Sequence, residues 1–380
     1  MVVVEAGLWL LIGSVIYSMT LYPLAVMALS RAFAKKFKRE TITPSVSLII
    51  SALNEEASIA AKVENSLALD YPPGRLEIIV ASDGSTDRTD AIVRRFADRG
   101  VRLLRFEGGL GKSAVLNEAV RQARGEILVF SDATGRWSSD AVALLASHYA
   151  DPRVGCVSGR VGYSYDRSLT SRGFRVYQKY ALALRRAEAA FGSGFNASGS
   201  IHSIRASLFR PGPPDTFMDM VDPLHVAMQG HRTTFEENAL SMESSRQRTA
   251  DEFRARLRIA LRAWRFMAYA LPRLPLLQAP MYCFQVVSHK FLRWTVGPAL
   301  LLVLCLNLVL LGEGSFYRWL LAAQMVYYGL TGLAFLFGKL GAPLPLVSGL
   351  VFFNTTNLAY VVSLLRYLRG ERVRQWIPVR

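Results

Sequence analysis

The sequence has little cysteine, histidine or acid, and each shortage excludes something. Its three cysteines, Cys156, Cys283 and Cys305, lie too far apart for a disulfide framework or a thiolate metal site. They read as buried thiols in a reducing compartment. The five histidines show no metal-ligand spacing, and His225, His231 and His289 read as structural or surface groups. Against 45 lysines and arginines stand 29 acids, a net charge of +16, yet helix-turn-helix, zinc and aromatic-interleaved basic signatures are all missing. No nucleic acid is therefore expected as a partner. Gly109-Leu-Gly-Lys112-Ser113 is not a Walker motif, because Phe106 stands where the first glycine is needed. No internal repeat or low-complexity segment appears.

Long apolar runs are present. Hydrophobic residues make up 51% of the chain and mean hydropathy is +0.23, the excess lying at the two ends. Leu8 to Leu29 is long enough to cross a bilayer, which takes roughly 20 residues. No basic segment precedes it and no small-residue cleavage site ends it, so it reads as an anchor rather than a cleaved leader. Arg31, Lys35, Lys36, Lys38 and Arg39 follow at once and place the next domain in the cytoplasm. Three further candidate spans occupy about 295–313, 317–337 and 343–366. Four spans would put the C-terminus outside, which conflicts with the basic tail from Arg366 to Arg374; a crossing or re-entrant segment at 271–287 would resolve this. Cationic flanks facing anionic membrane lipids account for much of the charge excess.

Between residues 44 and 240, short β-rich runs alternate with amphipathic helical stretches. Strands are expected at Val46–Ser51, Leu76–Ser82, Val101–Phe106, Glu126–Ser131 and Val154–Tyr163, and helices near 56–68, 87–98, 112–123, 139–150 and 166–192. This alternation predicts an α/β fold with a mostly parallel sheet covered on both faces. Apolar residues and arginines alternate with helical period from 250 to 270, which suits a helix in the membrane interface or one packed on the soluble domain. The expected divisions are an anchor at 1–30, a cytoplasmic α/β domain at 31–245, amphipathic or interfacial helices at 246–294 and a membrane region at 295–380.

The chemistry concentrates at strand ends, where open α/β sheets bind ligands. Asp83 and Asp132 each close an apolar strand run. Asn54 and Glu55 follow the first strand and could read the edge of a base, or could begin a helix. Asp83 could accept from a base or ribose, and Asp87 suits a helix cap. Lys112 opens a helix and could pair with a phosphate. In Ser131-Asp132-Ala-Thr134 a threonine stands where a paired-acid motif has its second carboxylate; Asp132 and Thr134 could still help to hold Mg2+ or Mn2+, which take further oxygens from phosphates and water. Asp219 stands among apolar residues at a helix start, an environment that raises a carboxylate pKa and suits a general base. Asp222, before Pro223, reads as a cap.

Together these motifs resemble family 2 glycosyltransferases of the GT-A fold. The resemblance runs through Leu53-Asn-Glu-Glu56, Ser82-Asp-Gly-Ser-Thr-Asp87, Gly111-Lys112 with Asn117, Ser131-Asp-Ala133, Ala197-Ser198-Gly199 with Ile204-Arg205, and Asp219 followed by Gly230-His-Arg232. Ser288-His-Lys-Phe-Leu-Arg293-Trp294 is similar to a feature of the membrane-bound polysaccharide-synthase branch. The resemblance implies an inverting hexosyl- or N-acetylhexosaminyl-transferase using a nucleoside-diphosphate sugar, most often a UDP-sugar, with Mg2+ or Mn2+ as cofactor. It implies Glu55 and Asp83 at the base, Lys112 near the nucleotide, Asp132 at ribose or metal–diphosphate, and Asp219 as the base that deprotonates the acceptor hydroxyl. The family's Gln/Arg-x-x-Arg-Trp motif is altered here. Arg256 and Arg258 stand at its place without the tryptophan, and Arg293 and Trp294 imitate it at the membrane edge. Ser198, Gly199, Arg293 and Trp294 are the expected acceptor or membrane-edge residues. The expected partners are the sugar donor, membrane lipids and a polysaccharide or lipid acceptor, with a second copy or an export partner completing any path for a chain. The implied setting is a membrane such as the bacterial inner (plasma) membrane, with the catalytic domain cytoplasmic. The alternatives are a single-transfer enzyme acting on a lipid and a silent sugar-nucleotide-binding scaffold.

Overall fold

The computed structural model describes residues 1–34, 37–164, 169–244, 249–340 and 348–372. Lys35 and Lys36, the start of the run at 343–366 and the end of the basic tail lie outside the described residues. Helices α1 (Val2–Ile16) and α2 (Tyr22–Phe33) join through a π-helical turn into one apolar rod, Val2–Phe33. The α/β region then runs β1 (Val46–Ala52), α3 (Ile59–Leu67), β2 (Leu76–Ser82), α4 (Thr89–Arg94), β3 (Val101–Arg105), α5 (Lys112–Val120), β4 (Ile127–Asp132), β5 (Arg136–Trp137), α6 (Ala141–Ser147), β6 (Val154–Ser164), α7 (Leu169–Phe191), β7 (His202–Arg205), α8 (Met218–Met228) and β8 (Arg232–Ser244). After it come α9 (Thr249–Ala270), α10 (Pro280–Gln285), α11 (Leu292–Trp294), α12 (Val296–Val309), α13 (Ser315–Lys339) and α14 (Ser348–Leu368).

The eight strands form one sheet in the order β3-β2-β1-β4-β7-β6-β8-β5. The first four are parallel, as their apolar runs predict, whereas β7 is antiparallel to both β4 and β6, and β5 to β8. β1 shows how the sheet is covered. Leu48 and Ile50 enter one core with Ile59 and Val63 of α3 and Leu145 of α6, while Ile49 faces the other with Val115 and Leu116 of α5. The parallel register pairs Ala52 with Ser82 and Ser51 with Asp132, so β1, β2 and β4 end together at one edge. From β1 the chain winds outward to β3 and then returns to β4, so a topological switch point lies between β1 and β4 at that edge.

The sequence did not mark β5, β7 or β8. β5 is two residues long and β7 four, and β8 begins Arg-Thr-Thr, with too few apolar residues to announce a strand. Cys156 and Cys283 are buried as expected, but Cys305, on the outer face of α12, is exposed.

A third layer lies beyond α8. Trp264 and Phe266 of α9 pack with Met220 and Leu224 of α8 and with Phe291 and Trp294. On its other side α9 meets α14, where the Trp264 indole Nε1–H donates to Ser363 Oγ at 3.0 Å. The arginine-rich helix is thus a bracket between the domain and the C-terminal helices.

Two helices, Val2–Phe33 and Ser315–Gly338, are long and apolar enough to cross a membrane. Pro280–Trp294 and Val296–Val309 meet the same test only as a pair bent by 57°, the geometry of a broken span or a re-entrant segment. α14, with Asn354-Thr-Thr-Asn357 at its middle, does not meet it among the described residues.

Candidate functional site

Each loop leaving the common strand edge has a distinct task. After β1 the backbone turns at Asn54, whose φ of 54° lies in the left-handed region that asparagine tolerates better than most residues. Its Oδ1 accepts from the Thr86 N–H at 2.8 Å, and its own N–H donates to Ser85 Oγ at 3.1 Å. Glu55 accepts from Ser58 Oγ at 2.6 Å. Asn54, together with the Glu55 N–H that donates to Thr89 Oγ1 at 2.7 Å, therefore fastens the loop after β1 to the segment after β2, at the place where a base-reading edge was expected.

After β2, Asp83 is buried and accepts from two backbone amides, Leu110 N–H at 3.0 Å and Gly111 N–H at 2.9 Å. This sets the start of α5. The neighbouring turn requires glycine. Gly84 has φ of 67°, and a Cβ there would lie 2.5 Å from the backbone of Gly108. Asp87 Oδ1 accepts the Thr89 N–H at 2.9 Å, at the head of α4.

Lys112, the first residue of α5, forms an ion pair with Asp132 at the end of β4. Asp132 also accepts from Ser200 Oγ at 3.0 Å, and that hydroxyl contacts Glu243, near the end of β8. One hydroxyl carries one hydrogen and cannot donate to two carboxylates at once. Burial raises the Glu243 pKa, and the charge of Asp132 adds to the rise. A protonated Glu243 can donate to Ser200, which then donates to Asp132. Lys112, Asp132, Ser200 and Glu243 thus form one polar group built from α5, β4, β8 and the loop before β7.

The oxygens of Asp132, Ser200 and Glu243 suit a hard divalent cation, which would share Asp132 with the Lys112 ammonium. Asp132 would be the carboxylate that holds Mg2+ or Mn2+, with Glu243 reaching it through Ser200. Thr134 is exposed on the loop beyond β4. Among the described residues no group of three or more His, Cys, Asp or Glu could cage a metal ion, so further coordination would fall to diphosphate and water.

Gly199 lies between this group and Asp219. A Cβ on Gly199 would stand 3.8 Å from Lys112 Nζ and 3.8 Å from Asp219 Oδ2. Asp219 is in the first turn of α8, and its backbone carbonyl accepts the Ala197 N–H at 2.7 Å, which locks the Ser198–Gly199 loop to the helix. Among the described residues the Asp219 carboxylate has no hydrogen-bond or ion-pair partner. It faces a cavity of about 850 Å3 that also takes in Ser198, Gly199, Ser200, Lys290 and Arg293. Its surroundings are more cationic than the apolar sequence around it suggested, because Lys112, Lys290 and Arg262 all act on this region.

Arg262 was not picked out in the sequence. It lies one turn beyond Arg258 on α9; burial, and then the charge of Arg258, lower its pKa, while Asp219 and Asp215 oppose the fall. Counting four residues on from Arg258 along the same helix face would have found it. Arg256 turns away, bonding Thr356 of α14 and stacking 4.2 Å from the centre of the Phe352 ring. Trp294 packs against Phe266 and Phe291 in the third-layer core, whereas Arg293 lines the cavity. Asp222, read from sequence as a cap, is buried and bonded to His202 Nε2 at 3.1 Å; burial raises its pKa.

Residues 47–209 match the family model described as glycosyl transferase family 2. An N-acetylglucosaminyltransferase of Azorhizobium caulinodans is 28% identical over 294 residues, covering 72% of each chain. A β-monoglucosyldiacylglycerol synthase of Synechocystis sp. is 35% identical over 121 residues, 31% of this chain, and the match spans only 25% of that relative's length. Among solved structures, a mannosyltransferase of Pyrobaculum calidifontis, in complex with GDP-Man and Mn2+, superposes with a TM-score of 0.74 at 23% identity. That alignment covers 97% of this chain and 99% of the other, a likeness of fold. Residues 47–209 thus carry the likeness to glycosyl transferase family 2, and the chain as a whole shares the fold of that mannosyltransferase.

Proposed function

We propose that the chain is a membrane-embedded, inverting glycosyltransferase that moves a hexosyl or N-acetylhexosaminyl group from a nucleoside-diphosphate sugar, a UDP-sugar first among them, to a membrane-held acceptor. The observation that carries this reading is the placement of Gly199 between Lys112 and the carboxylate of Asp219, which has no partner among the described residues. Donor and acceptor sides meet across one glycine, with no side chain between them.

The donor's diphosphate lies toward Lys112 and Asp132, where Mg2+ or Mn2+ would neutralise its charge when bound. Lys112 and Arg262 stabilise the negative charge that develops on the leaving diphosphate. Asp219 accepts the proton of the acceptor hydroxyl. The oxygen forms its bond to the anomeric carbon as the bond to the diphosphate breaks, and the electron pair leaves with the nucleoside diphosphate. Removing a positioned base of this kind typically lowers rates by about 10^2 to 10^4-fold. The acceptor is a growing polysaccharide or a glycolipid. The two are separated by product length, a ladder of sizes against a single added sugar, measured by mass spectrometry of the lipid and aqueous phases. Transfer that survives Asp219→Asn at the wild-type rate would overturn the assignment of the base.

A further inference from the structure

The cavity beyond Asp219 is cationic at its far end, and two of its cations, Lys290 and Arg293, form no ion pair among the described residues. Glu188 of α7, only 3% exposed, is the carboxylate there, and it is already occupied by two donors. The Tyr22 hydroxyl donates to its Oε1 at 2.7 Å, and His289 Nδ1 lies 2.5 Å from the same oxygen. With its proton on Nδ1, His289 leaves Nε2 to accept from Arg293 Nη1 at 3.0 Å, while Arg293 Nη2 donates to the Tyr180 hydroxyl at 3.2 Å. The guanidinium is thus aimed by two neutral acceptors. Its Nε is buried without a hydrogen-bond partner, and among the described residues Arg293 forms no ion pair. Lys290, one turn earlier, likewise has no hydrogen bond or ion pair among them; its ammonium lies 5.8 Å from the centre of the Phe195 ring. Glu188 and Asp219 lie within electrostatic reach of Lys290, but neither cation has a carboxylate in direct contact among the described residues, so a ligand's anion can pair with both.

From this we infer that the acceptor carries a phosphate, which seats on Lys290 and Arg293 while a sugar hydroxyl of the same molecule reaches Asp219. An arginine fork beside a lysine point charge is the chemistry of phosphate recognition. Both cations stand on the segment Pro280–Trp294, half of the bent candidate span, so the anion arrives as a lipid headgroup. The phosphate is not itself the nucleophile, because an ionised phosphate oxygen needs no base and Asp219 would then have no proton to take. A cavity of about 850 Å3 has room for a phosphate and a saccharide headgroup. The acceptor class is therefore a lipid phosphate or diphosphate that already bears sugar. This rests on the reading of Asp219 as the acceptor's base.

The test uses the full chain in phosphatidylcholine nanodiscs. Binding of a polyprenyl diphosphate N-acetylglucosamine is measured without any donor, beside a glucosyl diacylglycerol and the water-soluble N-acetylglucosamine 1-phosphate. Lys290→Met, Arg293→Met and the conservative Arg293→Lys are compared with wild type, with UDP affinity and melting temperature as checks on folding and on the donor side. The expected result is at least tenfold tighter binding of the phosphate lipid than of the neutral one. The two methionine variants erase that preference, Arg293→Lys restores part of it, and UDP affinity stays unchanged. Equal binding of the neutral lipid, equal binding of the soluble sugar phosphate, or variants that lose UDP instead would each overturn the inference. Because binding is read without turnover, a chain that binds the phosphate lipid but transfers no sugar would refute the proposed activity and leave this site standing.

Discussion

Lys62 lies on α3 with its side chain fully buried, its ammonium 4.4 Å from the centre of the Trp137 ring and without a hydrogen-bond partner among the described residues. Burial, helped by the charge of Arg136 and opposed by that of Asp132, brings its pKa down from 10.5 to about 7. The unfolded chain therefore binds this proton more tightly than the folded one, and stability held down below pH 7 is recovered as pH rises toward 10.5. At pH 7 the burial costs the fold on the order of 4 kcal/mol, falling to about 2 kcal/mol at pH 9. Lys62→Met keeps the packing on Trp137 and removes the charge. Its melting temperature, followed by intrinsic fluorescence in detergent, should exceed wild type by at least about 5 °C at pH 7, given 2–4 °C per kcal/mol for a domain near this size. By pH 9 the gap should shrink by roughly half. A variant that melts at or below wild type, or a gap that stays constant between pH 7 and 9, would refute the reasoning.

Three further outcomes follow from the same geometry. Burial and the nearby Arg39 bring the His148 pKa down from 6.5 to about 3, so the unfolded chain takes up a proton that the fold refuses and stability falls as pH drops below 6.5. Thermal melts of His148→Gln from pH 6.5 to pH 5 should lose that part of the slope, about 1.4 kcal/mol per pH unit. Trp264→Ala leaves a void between α8, α9 and α14 and should cost about 3–5 kcal/mol, read as a lowered melting temperature. Glu243→Gln keeps a donor for Ser200 and should leave UDP affinity by calorimetry within about threefold, whereas Glu243→Leu, which removes a buried partner, should weaken it about tenfold or more.

How much could be read in advance depended on which force wrote the signal. β1, β2 and β4 are buried on both faces, so their residues are continuous apolar runs, and Asp83 and Asp132 stood out as charges at the ends of those runs. Lys112 was visible because it begins a helix after a glycine turn. Glu243 was not visible, because it reaches Asp132 through the pairing of β8 with β6 and with β5, contacts between segments about eighty and about a hundred residues apart that no local pattern records. The roles of Asn54 and Asp83 in holding loops were equally hidden, since those bonds run to residues about thirty positions away. The group Tyr22–Glu188–His289–Arg293 gathers residues from α2, α7 and the segment before α12, and only packing brings them together. Arg256 shows the converse: its spacing is right for the site, yet packing of α9 on α14 turns it to Thr356.

The most direct test of the central claim is release of nucleoside diphosphate by the purified chain in nanodiscs. A panel of UDP- and GDP-sugars is supplied with Mg2+ or Mn2+ and a phosphate-lipid acceptor, beside Asp219→Asn. The account predicts release with one donor, matched mole for mole by sugar on the acceptor and lowered at least about a hundredfold in the variant, which still binds the donor. Release that is undiminished in Asp219→Asn, or donor that is bound but never turned over by wild type, would contradict it.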